Sequence, residues 1–185
     1  TEIQQVILII LKNAEDVFDL LDSLEFYAYN YIALGNSDDQ LWNTDKELRI
    51  NINVLKAFRV TQWKPLALVA YEKLSNQDFK KLINAIVSIS FRYNVVAKLQ
   101  TNEMEKVYSK AAINLYKGNT QNLQMVINDL KSIYVNDEDF RNYFMTKQFR
   151  TANSTEQKLA RYTLYKLESQ ENNGNSYDFT IDDGT

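Results

Sequence analysis

The 185-residue chain contains no histidine and no cysteine. The first absence removes the side chain most used as a general base and the commonest metal ligand. The second excludes disulfides, thiolate chemistry and the common zinc sites. Four glycines and one proline are all the chain has of these residues. That leaves little room for phosphate-cradling loops, and neither common Gly-rich fingerprint occurs. Scarcity of turn residues also suits long helices better than many short strands. No segment reaches the roughly 18 apolar residues that a membrane span needs. The apolar stretch near the start, Val6 to Leu11, lacks a basic leader or cleavage pattern.

What is present can build a core: 45% of residues are hydrophobic and 12% aromatic. The net charge of −3 is close to neutral and gives no global sign of a nucleic-acid or acidic-lipid binder. It conceals an uneven distribution. Residues 1–25 carry a net −5, residues 141–166 a net +5, and the stretch from Leu167 onward another −5.

Helical periodicity dominates. Asn13 is the expected cap of a helix with Val17, Phe18, Leu21, Leu24, Ala28 and Ile32 on its apolar side, stopping near Gly35; residues 2–11 belong to it or to an earlier helix. Residues 36–43 are expected to be a polar loop carrying Trp42. A second helix is expected from Asp45 to about Arg59, and a third from Pro65 to Leu74, with proline in its first turn. Ser75 and Asp78 resemble a capping box opening a helix with Phe79, Leu82, Ile83, Ile86, Ser90 and Tyr93 on one side. Phe91 and Val95 fall opposite, which marks this as the central helix.

Further helices are expected at 102–116, 121–133 and 137–145, capped by Thr101, Thr120 and Asn136, and a last one from a Ser154 cap with Gln157 to about Glu168. The expected fold is an all-α, irregular bundle of seven or eight helices spanning residues 1–168. Residues 169–185 are expected to be a flexible linker and the start of a strand-containing domain.

Carboxylates are the only strong acid–base candidates. Asp38-Asp39 could hold Mg²⁺ but lacks a phosphate cradle nearby. Asp137-Glu138-Asp139 is better explained as acid at a helix N-terminus, and Asp182-Asp183 as solvated charge. No Gly-x-Ser-x-Gly elbow or comparable nucleophile context occurs. The chain is therefore not expected to be an enzyme by itself, nor to hold a metal or cofactor.

The basic block is more informative. On the last helix, a 100° step places Leu159, Ala160, Thr163, Leu164 and Leu167 on one side and Lys158, Arg161, Tyr162, Tyr165 and Lys166 on the other. With Lys147 and Arg150 these basic and aromatic residues are the candidate site. They could track phosphates and stack on bases, dock another domain through the tyrosines, or form a plain solvated face.

The run from Lys158 through Leu159, Arg161, Tyr162 and Tyr165 to Glu168 resembles a segment of GmrSD-like restriction proteins, which join the domain of unknown function 262 to the domain of unknown function 1524. Phe140–Thr155 fits the region before it. Phe91-Arg92-Tyr93 followed by Thr101–Met104 is similar to the family's central helical part. The resemblance covers most of residues 14–168. It implies a bacterial, cytoplasmic phage-defence protein in which a nucleotidase domain with an Asp-Gly-Gln-Gln-Arg motif precedes a helical region. An HNH nuclease domain, opening on a His-containing strand, follows. Neither signature occurs in this chain, so no catalytic residue carries over. The resemblance implies a non-catalytic helical connector whose partners are the two flanking domains. DNA is the further candidate partner, and an autonomous DNA-binding or protein-interaction module is the alternative.

Overall fold

The computed structural model describes residues 14–150 and 152–171. Asn13, residues 2–11 and the expected linker and strand beyond residue 171 lie outside the described residues. Among those described, eight α-helices and no strand occur: α1 (Ala14–Ala33), α2 (Lys46–Ala57), α3 (Lys64–Lys73), α4 (Asn76–Ser90), α5 (Thr101–Tyr116), α6 (Leu123–Asp129), α7 (Asp137–Met145) and α8 (Ser154–Glu171). The expected all-α irregular bundle is what forms, with α8 running three residues past the expected end.

Helix α4 is the hub. Ser75 caps it by accepting the Asp78 N–H at 3.1 Å, which satisfies one of the orphan amides of the first turn. Leu82, Ile83 and Ile86 are fully buried, each contributing about 1.5–3 kcal/mol of apolar burial. Helices α2, α3 and α6 all pack on α4, and α5 lies along α3. The chain then continues directly into a π-helical turn, Phe91–Val96, against which α7 packs. Periodicity alone predicts an ordinary helix over these residues. Widening the turn lets Tyr93, Val95 and Val96 all be buried.

Local signals placed most helix starts, with three shifts. Asn122, not Thr120, caps α6, accepting the Met125 N–H at 3.0 Å; Thr120 is buried instead. Asn153, not Ser154, caps α8, its Oδ1 accepting the Thr155 N–H at 2.9 Å. Helix α5 starts at Thr101, and the cap position, Gln100, makes no side-chain cap bond.

Residues 36–43 are not a purely polar loop. Trp42 closes a short 3₁₀ turn, buries its ring, donates its indole N–H to the Ala33 carbonyl at 2.9 Å and stacks on Phe79. A buried indole N–H needs such a partner.

Helix α1 departs most from expectation. Only its C-terminal end is buried, through Asn30, Ala33 and the following Leu34, and it packs on α3. The apolar row expected to face the core points outward: Phe18 is 65% exposed and Leu21 53%.

Candidate functional site

Helix α8 lies against α2, and the end of each helix meets the start of the other, so the two run antiparallel. At one end of their seam, Lys56, Ala57 and Arg59 from the end of α2 meet Ser154, Thr155 and Lys158 from the start of α8. At the other, Lys46 and Glu47 from the start of α2 share an open cleft with Tyr165 and Lys166.

Tyr162 holds the seam together. It is only 4% exposed, and its ring meets Phe58 at 5.1 Å and Phe91 at 5.3 Å between centroids, both edge-on. Burial pushes its phenol well above the usual tyrosine range. Tyr162 therefore belongs to the core and not to an exposed docking face, and Thr163 beside it is buried too. Of the apolar row, Thr163 is buried and Leu159 packs partly buried against the core, while Leu164 is 66% and Leu167 48% exposed, so only the C-terminal part of that row is outside. A tyrosine beside lysines is ambiguous on a helical wheel because its ring is apolar and its tip polar. Packing against Phe58 and Phe91 decides it.

The other candidates fall into separate groups around α8. Lys147 and Arg150 surround its first turn through Glu156, which accepts the Arg150 backbone N–H. That bond, with the charges of Lys98, Lys147 and Arg150, holds the Glu156 carboxyl below its ordinary range. Burial and the neighbouring Lys98 ammonium lower the Lys147 pKa, and Glu156 opposes them. Lys147 also lies 5.0 Å over the Phe149 ring. Lys158 lines the first cleft, on the α2 side. Arg161 is exposed. Lys166 reaches over the rings of Tyr162 and Tyr165 at 5.8 and 5.9 Å.

The two clefts differ chemically. The first, about 270 Å³, is lined by Asn53, Lys56, Ala57, Arg59, Ser154, Thr155 and Lys158: three cations and no carboxylate. The second, about 350 Å³, holds Glu47 and the apolar Ile50 and Val54 beside Lys46 and Lys166. In it Asn51 donates to Asn84 at 2.6 Å and Asn84 to Glu47 at 2.7 Å, so polar groups at that wall are already engaged.

Sequence reasoning missed Lys56 and Arg59. They are separated from Lys158 by about a hundred residues, and no local pattern announces that pairing.

The acidic clusters are structural where they can be described. Asp38 pairs with Arg49 at 3.0 Å, and Asp39 caps the 3₁₀ turn by accepting the Leu41 N–H. Asp137 pairs with Arg92 at 2.7 Å. Asp182 and Asp183 lie outside the described residues. Among the described residues, no three acidic side chains are grouped to hold a metal ion. No helix among them is long and apolar enough to cross a membrane.

Comparison of the chain with protein-family models, curated proteins and solved structures finds no match.

Proposed function

We propose that the chain is a non-catalytic helical connector of the kind found in GmrSD-like restriction proteins, joining a nucleotidase domain to an HNH nuclease domain. The observation that carries this reading is the outward apolar surface of the first and last described helices. Phe18, Leu21, Leu24 and Ile32 on α1, and Leu164 and Leu167 on α8, are all about half exposed or more, while the helices between them close a well-filled core. Exposed apolar rows of this kind mark surfaces that other protein covers. Rows on the two outermost described helices suit a piece held between neighbours. Its work is mechanical: fixing the relation of two active sites to each other.

The acidic and basic faces fit the same role. Exposed Glu15, Asp19, Asp22 and Glu25 rim the α1 row, and basic residues flank the α8 row, so the two ends would select different neighbours. The test is DNA cleavage by the intact multidomain protein carrying Leu164→Glu plus Leu167→Glu. Both side chains are exposed, so the domain itself should melt as before. Cleavage reduced tenfold or more is expected; unchanged cleavage would remove the docking role of α8.

A further inference from the structure

We infer that the cleft between the end of α2 and the start of α8 is a phosphate-binding site. Independently of the connector reading, three cations, Lys56, Arg59 and Lys158, converge there with the Ser154 and Thr155 hydroxyls and the Asn53 amide. No carboxylate lines the cleft, and among the described residues no ion pair engages Lys56 or Arg59. Glu156, the acid nearest in sequence, accepts the Arg150 N–H and is not part of the lining.

A lysine in the last turn of a helix is partly explained by the helix dipole, which favours positive charge there. That accounts for Lys56. It does not account for Arg59 beyond the helix end or Lys158 on the facing helix. Arg59 is also held at φ 57°, a left-handed conformation that costs a non-glycine residue about 1 kcal/mol or more. The first amides of α8 are already taken by Asn153, so side chains and not the helix terminus supply this site's donors.

The ligand's chemistry follows from the lining. Cations with hydroxyls and an amide match a phosphate's oxygens. No aromatic ring lines the cleft to stack a base, and about 270 Å³ is below the usual range for a whole drug-sized ligand. The site therefore takes a phosphate group alone, from a nucleic-acid backbone or from a free oligophosphate, without reading sequence.

The test uses the 185-residue chain, a labelled duplex DNA and sodium tripolyphosphate, each at several salt concentrations. The variant Lys56→Gln plus Arg59→Gly removes two charges and relieves the positive φ, so it should melt at or above the wild-type temperature. Lys117→Gln plus Lys131→Gln is the equal-charge control outside the cleft. Duplex binding weakened at least tenfold in the cleft variant and not in the control, with the salt slope reduced by about 2, assigns the site to a nucleic-acid backbone. Tripolyphosphate moving the backbone amide resonances of residues 53–59 and 154–158, in wild type and not in the variant, without duplex binding, assigns it to a free oligophosphate. Neither ligand binding at low salt, or cleft variant and control behaving alike, would overturn the site.

Discussion

Tyr162 stands edge-on to Phe58, with ring centroids 5.1 Å apart and planes at 83°. Phe91 completes the cluster at 5.3 Å from Tyr162. Through these rings, α8 is fastened to α2 and to the π-helical turn. The orientation of α8 follows, with Leu164 and Leu167 outside and Lys158 turned into the basic cleft.

Truncating the ring should therefore be a stability lesion. Tyr162→Ala is expected to cost about 3 kcal/mol or more, as for other buried aromatics, and to lower the urea midpoint accordingly. Tyr165→Ala, half-buried at the edge of the second cleft, should cost no more than about 1 kcal/mol. Equal losses from the two variants would contradict the packing described.

Arg92 ties the π-helical turn to the start of α7. It donates to the Val135 carbonyl at 3.0 Å, pairs with Asp137 at 2.7 Å, and lies within 4.8 Å of the Tyr134 ring and 4.6 Å of the Phe140 ring. Asp137 is mostly exposed, so its ion pair contributes little; the carbonyl bond and the two rings matter more. Arg92→Ala should cost about 2 kcal/mol and speed amide exchange across residues 134–145. Asp137→Ala should cost under about 1 kcal/mol. A larger loss from the aspartate variant would reverse that ranking.

Stability should fall at both extremes of pH, and for identifiable reasons. Burial and the hydrogen bond it donates to Glu72 push Tyr27 up to about 12. Burial raises Tyr93, Tyr108 and Tyr162 as well. Above about pH 10 the unfolded chain releases these phenolic protons first, so stability drops as pH climbs from there through the folded values. On the acid side, Glu72 is lowered by its bonds to Lys73 and Tyr27. Asp45 is lowered by Lys80 and the Leu48 N–H acting against burial. Their contribution is complete above the ordinary carboxylate range and is lost as pH falls through the folded values. Tyr27→Phe should flatten part of the alkaline loss in urea titrations. An unchanged alkaline limb would show that Tyr27 does not contribute.

The parts legible from sequence were those decided within a few residues. Ser75 and Asn136 cap the helices they precede, and Pro65 sits in the first turn of α3, because capping and proline chemistry are local. Apolar periodicity also identified α4 as central. What could not be read locally was decided by distant partners. The π-helical turn follows from burying Tyr93, Val95 and Val96 together, and the rotation of α8 from where Phe58 and Phe91 lie. A helical wheel divides α8 into two faces without saying which one finds a core. The basic cleft joins residues 56–59 to residues 154–158, a meeting no spacing rule contains. Asn153 and Ser154 show the finer limit: both are good caps, and the structure uses the earlier one.

The connector reading is tested most directly by sequencing the gene on both sides of the segment encoding this chain. An in-frame nucleotidase domain with its Asp-Gly-Gln-Gln-Arg motif upstream, and an HNH domain with its histidine-bearing strand downstream, is the expected result. An open reading frame that contains neither would contradict the connector role and leave an independent helical module in its place.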